Sequence, residues 1–154
     1  MAFRLSRRSI SRLNGVHPVL FKIIKGAIEH EKCPFDFAIP RDGGRRTASR
    51  QMYLYSQGRT TLELEEKGIF GVEGIPSKKR ITWTLNSNHM PKEDGFGHAF
   101  DIFAYVNKKA SWDRKYLEPI ARHLQWYAKE FHDTDLQWGY DLWKKDAAHF
   151  QLPE

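Results

Sequence analysis

The chain has 154 residues, of which 40% are hydrophobic and 14% aromatic; this length fits one domain, and the composition excludes intrinsic disorder. Lys and Arg outnumber Asp and Glu by 25 to 19, which gives a formal net charge of +6 and favours anionic partners such as nucleic acid, anionic lipid or an acidic cell-wall polymer. The single cysteine, Cys33, excludes an internal disulfide and a four-thiolate zinc site, so a metal would need His and carboxylate ligands.

The sequence shows neither a membrane span nor a secretory signal. Its longest apolar stretches, such as residues 19–24, are interrupted by Lys well before the roughly 18 apolar residues that a span requires. The basic N-terminus continues into Ser9, Ser11 and Arg12, where a signal peptide would need an apolar core. We therefore expect a protein made in the cytosol, with no signal peptide and no stable membrane insertion.

The first part of the chain predicts two helices and a strand. Apolar residues recur with the helical period after Pro18, which suits a first helical turn. Residues 35–39 alternate as a short strand does. A second helix is predicted over 47–57, with Thr47 as its N-cap and Gly58 as its stop. The apolar face of the first helix consists of Leu20, Ile23, Ile24, Ala27 and Ile28.

The remaining chain mixes helices and strands without a regular βαβ alternation or a repeat, which favours the α+β class. Residues 59–80 keep no period, so we predict a loop insertion or a poorly paired hairpin. Residues 97–106 are aromatic and branched, which suits a buried central strand. A helical stripe covers 111–131, with the main helix starting near Pro119. Two short strands are predicted around a Trp-rich loop, at 136–138 and 149–152.

One charge, Asp101, lies in the most apolar segment of the chain. A buried carboxylate is costly unless it is paired or bound to a cation, so Asp101 needs a partner. Either a metal site or one of the many Arg and Lys residues can supply it. Most of the seven histidines read as surface or helix-entry residues, and three lie near acidic residues in strands or tight loops. The first group is His17, His30, His123 and His132, and the second is His89, His98 and His149.

Two neutral imidazoles and a carboxylate suffice for a hydrolytic zinc site that leaves one position open for water. A further carboxylate that is not a ligand can accept the proton of that water, and Asp146 stands three residues before His149. If residues 98–101 are extended, His98 faces away from Asp101, which favours His89 as a ligand and leaves His98 as the alternative.

These residues carry a specific resemblance. Ser87-Asn-His89 followed by Gly97-His-Ala99-Phe-Asp101 resembles the Ser-x-His-x-x-Gly-x-Ala-x-Asp motif of the D-alanyl-D-alanine carboxypeptidase and lysostaphin-like zinc peptidases. Asp146-x-x-His149 resembles the second motif of that family.

Two upstream segments extend the resemblance over almost the whole chain. Gly44-x-Arg46-Thr47-x-x-x-Gln51-x-x-Leu54-x-x-x-Gly58 is similar to the segment that precedes the zinc motif. The opening Ser6-Arg-Arg-Ser with Leu13-x-Gly15-Val16-His17-Pro18-x-Leu20 resembles the phage branch, the L-alanyl-D-glutamate endopeptidase endolysins.

The resemblance implies a fold and a set of roles. The fold would be a small antiparallel sheet flanked by helices, hedgehog-like, with the zinc site at the sheet. One Zn²⁺ would be held by His89, Asp101 and His149. Asp146 would act first as the general base and then as the acid. Arg46 and Ser87 would contact the substrate, and Arg46 would also help to stabilise the tetrahedral intermediate.

Two features of the chain depart from the motif. Five extra residues separate His89 from Gly97; a loop can absorb them because closure entropy grows slowly with length. Many carboxypeptidase relatives carry Glu where this chain has Asp146, whereas phage members of the family often carry Asp. We therefore favour the endopeptidase and keep the carboxypeptidase as the alternative.

The sequence thus predicts a phage-type endolysin that hydrolyses the L-alanyl-D-glutamate bond of the peptidoglycan peptide stem. We expect one catalytic domain over residues 1–154 without a separate wall-binding domain, and a monomer. It would accumulate in the host cytoplasm and reach the cell wall after the inner membrane is permeabilised, lysing the host.

Two other classes of protein are alternatives to this prediction. A basic nucleic-acid-binding module would concentrate charge and aromatic residues together, whereas the basic residues here are widely spread, so no nucleic-acid partner is expected. An Fe(II) oxygenase site often uses a His-x-Asp pair, which this chain lacks. Trp138 and Trp143 could line a substrate groove, but core packing is the favoured interpretation.

Overall fold

The computed structural model describes residues 3–82 and 84–154. Within these ranges the chain forms short strands and helices, two of the helices exceeding ten residues. In chain order they are α1 (Arg7–Arg12), α2 (Pro18–Glu29), β1 (Asp36–Ala38), α3 (Ala48–Ser56), α4 (Thr61–Glu66), β2 (Ala99–Asp101), β3 (Phe103–Val106), β4 (Lys109–Ser111), α5 (Arg114–His132), β5 (Gln137–Trp138), α6 (Gly139–Trp143) and β6 (His149–Gln151).

The strands form two small antiparallel sheets, in the orders β1-β3-β4 and β2-β6-β5. This arrangement, flanked by helices, confirms the predicted α+β class. The predicted single strand over 97–106 is wrong in detail, because it divides at Ile102 into β2 and β3, which belong to different sheets. The Ile102 N–H donates to the Ala148 carbonyl at 3.0 Å, and its side chain is fully buried, so the apolar run continues while the pairing changes.

The core lies between the two long helices and the sheets. The apolar stripe of α2 is buried as predicted, and α2 packs against α5. The helix α5 begins at Arg114, with Asp113 as its N-cap, and runs through Pro119. The prediction that the main helix starts near Pro119 is therefore wrong: proline there removes a single backbone hydrogen bond near the N-terminus of the helix, and the burial of the apolar stripe outweighs that loss.

None of the described helices is both long and apolar enough to cross a membrane.

Three short helices of the described chain, α1, α4 and α6, were absent from the prediction. In the segment 59–80, α4 begins with a capping box in which Thr60 and Glu63 exchange side-chain and backbone hydrogen bonds. These bonds satisfy the backbone N–H groups of Thr60 and Glu63, which have no partner within the helix. Leu64 packs with Tyr55 and Ile69 in a small second hydrophobic cluster. The Trp-rich loop contains the single-turn helix α6.

Candidate active site

The pairing of β2 with β6 brings two predicted site residues together. Asp101 ends β2, His149 begins β6, and the antiparallel register makes them direct partners. The side chains of direct partners lie close together on one face of a sheet. His149 Nδ1 is accordingly 3.2 Å from Asp101 Oδ1, although 48 positions separate the two residues.

His89 reaches the same carboxylate oxygen from the loop before β2. Its Nε2 lies 3.2 Å from Asp101 Oδ1, and its side chain is almost completely buried. Its Nδ1 lies 2.8 Å from the Gly44 carbonyl oxygen. Because a carbonyl only accepts, Nδ1 carries a proton. In the neutral ring that a metal requires, Nε2 is therefore the nitrogen with the lone pair, whereas without a metal a protonated Nε2 can donate to Asp101. The backbone holds this position, since the Arg46 N–H donates to the His89 carbonyl at 2.8 Å.

The five extra residues after His89 form a turn outside the site. The Lys92 N–H donates to the Phe96 carbonyl at 2.9 Å, and the His98 N–H donates to the Asn88 carbonyl at 2.8 Å, so the ends of the insertion stay close. His98 Nε2 lies 2.7 Å from Asp94 Oδ2. The alternative ligand of the sequence analysis is therefore paired elsewhere.

His89, Asp101 and His149 each offer one ligand atom, and these atoms lie within 4.8 Å of one another. Two imidazole nitrogens and one carboxylate oxygen form a donor set that zinc uses in hydrolytic sites. The three residues thus fit a zinc ion, as the sequence analysis predicts. Their identity as ligands stays a prediction.

A chain of side-chain amides, in which Gln151 is buried and its two neighbours are half-buried, orients the ring of His149. His149 Nε2 lies 2.8 Å from Gln151 Oε1, and that oxygen also accepts from Asn88 Nδ2 at 2.8 Å. Gln151 Nε2 in turn donates to Gln137 Oε1 at 3.1 Å. Gln151 therefore presents an acceptor to His149, so Nε2 carries a proton. In the neutral ring that a metal requires, this leaves the lone pair on Nδ1, which points towards Asp101; without a metal a protonated Nδ1 can donate to Asp101.

Arg46 holds the second oxygen of Asp101. Its guanidinium donates to Asp101 Oδ2 at 3.1 Å, to the Asp42 carbonyl at 2.8 Å and to Gln51 Oε1 at 3.3 Å. Gln51 is fully buried and donates to the Thr84 carbonyl at 2.7 Å. The sequence left a metal and an arginine as alternatives for the partner of Asp101. The structure pairs Asp101 with Arg46 and also brings His89 and His149, the other two candidate metal ligands, next to it.

The packing around Asp101 and His149 shifts the pKa values of both groups. Burial by itself would raise the pKa of Asp101, but the attraction of His89 and the hydrogen bonds with His149 and His89 hold that pKa well below its usual range. Burial would lower the pKa of His149, but its hydrogen bond to Asp101 and the charge of Asp101 raise it. Asp101 is therefore an anion at neutral pH, which suits a cation ligand.

Asp146 lies on the turn between α6 and β6. Its backbone is left-handed, with φ of 62°, and its carbonyl accepts from the His149 N–H at 3.1 Å. Although the residue is exposed at the mouth of the site, the protein atoms around its carboxyl group raise the pKa of Asp146, and the charge of Asp101 raises it further. The carboxylate is thus near the ligand set without being part of it.

A cavity of about 600 Å³ opens over these residues. All the site residues predicted from the sequence line it, so the structure gathers them in one place. The catalytic and substrate-binding roles of these residues stay predictions. The predicted lining residues are Arg46, Ser87, His89, Asp101, Asp146 and His149; further ones include Asn88, Trp143, Lys145 and Gln151.

The crystal structure of the Serratia marcescens L-Ala D-Glu endopeptidase ChiX is similar to this chain. The two superpose with a TM-score of 0.66 and are 29% identical, and the match covers 98% of this chain and 90% of that one. The chain and this endopeptidase share a fold. No protein-family model and no curated protein matches the sequence.

The structure corrects the predicted environment of several residues, two of them in the cavity, Trp143 and Gln151, and one outside it, His123. Gln151 stands two positions after His149 on β6, so the strand period of two was a signal that both face the site. Trp143 is 47% exposed rather than packed in the core, and its ring lies 5.4 Å from that of His149; Trp138 is buried as expected. His123, predicted at the surface, is buried, with Nε2 2.7 Å from the Ala27 carbonyl.

Proposed function

We propose that this protein is a zinc peptidase that hydrolyses the L-alanyl-D-glutamate bond in the peptide stem of peptidoglycan. The observation that carries the proposal is the convergence of His89, Asp101 and His149 on one point, with Asp146 on the wall of the same cavity. The similarity to an L-Ala D-Glu endopeptidase over 98% of the chain supports the substrate assignment.

Each side chain has a defined task in this reaction. Zinc held by His89, Asp101 and His149 would supply Lewis-acid activation of water and of the scissile carbonyl. The Asp146 carboxylate accepts the proton of the attacking water and then delivers it to the nitrogen of the departing amine. Three of the five N–H groups of Arg46 already donate to protein acceptors. The other two can stabilise the negative charge that develops on the carbonyl oxygen of the substrate.

We further propose that the protein acts as a phage-type endolysin, monomeric, on the host wall after the inner membrane is permeabilised. The support is the resemblance of the opening segment to the phage branch and the net charge of +6, which favours encounter with an anionic envelope. Expression in a bacterial host with and without a membrane-permeabilising protein tests this role: lysis is expected only with permeabilisation, and lysis equal in both cultures would contradict it.

Mass spectrometry of purified muropeptides after digestion identifies the bond that is cut. The expected products end in a free L-alanine carboxyl group on one side and begin with a free D-glutamate amine on the other. Release of terminal D-alanine instead would assign the carboxypeptidase activity, and intact muropeptides together with tight nucleic-acid binding would assign the binding-module alternative.

Metal removal tests the cofactor. We expect about one equivalent of zinc per chain by elemental analysis, loss of hydrolysis after dialysis against a chelator, and recovery when zinc is added back. The melting temperature should fall on chelation, because a ligand that binds only the folded state stabilises it. Full activity in metal-depleted protein would contradict the zinc assignment.

A further inference from the structure

Among the described residues, two cationic side chains line the cavity, Arg46 and Lys145. They differ in what they already bind. The guanidinium of Arg46 is tied to three protein acceptors and is largely buried. The ammonium group of Lys145 has no hydrogen-bond or ion-pair partner in the part of the chain that the structure describes, and the residue is exposed. Lys145 is therefore available to an anion that enters the cavity.

The turn after α6 places Lys145 on the cavity wall. The helix ends at Trp143, and both neighbours of Lys145 are left-handed, with φ of 56° at Lys144 and 62° at Asp146. Trp143, Lys145 and Asp146 all line the cavity, whereas Lys144 packs over the ring of Tyr140 at 5.7 Å. The free ammonium group thus stands next in sequence to the carboxylate assigned to the proton transfer.

The proposed substrate has an anion at the matching place. In the peptide stem, D-glutamate is joined to the following residue through its side-chain γ-carboxyl group, so its α-carboxylate stays free. This carboxylate is borne by the carbon attached to the scissile nitrogen. A cation beside the residue that protonates this nitrogen is therefore close to the α-carboxylate of a bound substrate.

We infer that Lys145 binds the free α-carboxylate of the D-glutamate residue and makes the enzyme select stems that carry it over stems in which this group is an amide. The inference rests on the proposed function. A hydrogen bond to a charged group is stronger than one between neutral groups, and losing it changes kcat/KM by about tenfold. An amide presents no net charge to the ammonium group and so gains little from Lys145.

Two synthetic stem peptides that differ only at this group, α-carboxylate or α-carboxamide, provide the test. The wild-type protein should cleave the carboxylate peptide with a kcat/KM about tenfold higher, mainly through KM. In Lys145→Ala this ratio should fall to about one, while Lys145→Arg keeps most of it. Lys144→Ala is the matched control, because it removes an adjacent charge that does not line the cavity, and it should keep the wild-type ratio.

Each other result has a definite meaning. A wild-type ratio near one, or an unchanged ratio in Lys145→Ala, would overturn the inference while leaving the proposed function intact. If the wild type cleaves neither peptide, the proposed function fails. Isothermal titration calorimetry of both peptides with wild type and Lys145→Ala then tests Lys145 independently of cleavage. If the wild type binds the carboxylate peptide no more tightly than the carboxamide peptide, or if Lys145→Ala keeps the wild-type preference, the role of Lys145 is overturned.

Discussion

Asp101 organises the candidate site at the scale of single residues. One of its oxygens faces both histidines at 3.2 Å, and the other accepts from Arg46 at 3.1 Å. Its side chain is 19% exposed, so the charge is mostly removed from water and depends on these partners. Asp146, by contrast, has no hydrogen bond to the ligand set through its side chain among the described residues. This difference supports the proposal that Asp101 holds the metal while Asp146 transfers the proton.

Replacement of Asp146 by Ala should remove catalysis and leave the metal site. We expect kcat to fall by about 10² to 10⁴, the usual contribution of general acid–base catalysis. Zinc content should be unchanged, and the melting temperature should fall slightly because Ala tolerates the left-handed φ of 62° less well than Asp does. Asp135→Ala, at a side chain that is 79% exposed, is the matched control and should keep full activity. Substantial hydrolysis by Asp146→Ala would exclude that residue from the mechanism.

Gln151 should act on the metal through His149. Gln151→Leu removes the acceptor that holds the Nε2 proton, so the Nδ1 lone pair is no longer fixed, and zinc affinity should weaken by about 10- to 100-fold. Competition with a chromogenic chelator measures this affinity independently of hydrolysis. Gln151→Glu keeps an acceptor oxygen and should bind zinc more tightly than Gln151→Leu does. Gln137→Leu is the control, because it breaks the amide chain without removing the acceptor that faces His149. Zinc binding by Gln151→Leu as tight as in wild type would refute the role.

At the scale of elements, the register of β2 and β6 decides which side chains meet. A shift by one residue would turn His149 to the opposite face. The segment before β6 approaches the start of α6 closely at Gly139: an added Cβ there would lie 2.5 Å from the Asp146 carbonyl oxygen and 3.1 Å from His149 Cβ. Both neighbours belong to the candidate site, so a small residue at this helix start keeps the turn in place.

Gly139→Ala should therefore displace the turn that carries Asp146. Because the nearest atom is backbone, the strain cannot be relieved by a side-chain rotation, and we expect a loss of about 1 to 3 kcal/mol in the free energy of unfolding together with reduced activity. Gly68→Asn is the control, since nothing lies within 4 Å of Gly68 and Asn tolerates its positive φ. Chemical denaturation and hydrolysis assays compare the two variants; unaltered values for Gly139→Ala would show that the turn adapts.

At the scale of the whole molecule, the two long helices form a platform for the sheets. Their packing includes a buried polar contact, in which His123 on α5 donates from Nε2 to the Ala27 carbonyl on α2. Burial is the main cause that lowers the pKa of His123 below its ordinary value of 6.5, assisted by His30 and Lys32, while the hydrogen bond to Ala27 partly opposes the shift. The native protein thus keeps this imidazole neutral at neutral pH.

This shift predicts a pH dependence of stability with a definite sign. Below pH 6.5 the unfolded chain protonates this histidine before the folded chain does, so the unfolded state binds more protons and stability falls as the pH falls towards the lower, folded-state pKa. Above pH 6.5 the residue contributes no slope. His123→Gln keeps a donor but does not titrate, so the loss of unfolding free energy between neutral pH and about pH 5 should be smaller than in wild type. Denaturant titrations at both pH values measure it, and equal losses would refute the assignment.

The sequence by itself determined the helices with long apolar stripes, the α+β class and the residues of the candidate site. The helix α2 followed from its period, and α3 from Thr47 and Gly58, because local sequence controls caps and amphipathic faces. Asp101 is the one charged residue in an apolar segment of the sequence, and this pointed to a functional site because a buried carboxylate needs a partner. The short helix α4 was also within reach of the sequence, since Thr60 and Glu63 form a capping box.

Only the tertiary structure decided which side chains meet. The division of 97–106 between two sheets and the register of Asp101 with His149 depend on pairing between distant segments, which local patterns do not specify. The same holds for the amide chain behind His149 and for the cavity wall that contains Lys145. These contacts join residues far apart in sequence, so their geometry arises from the packing of the whole chain.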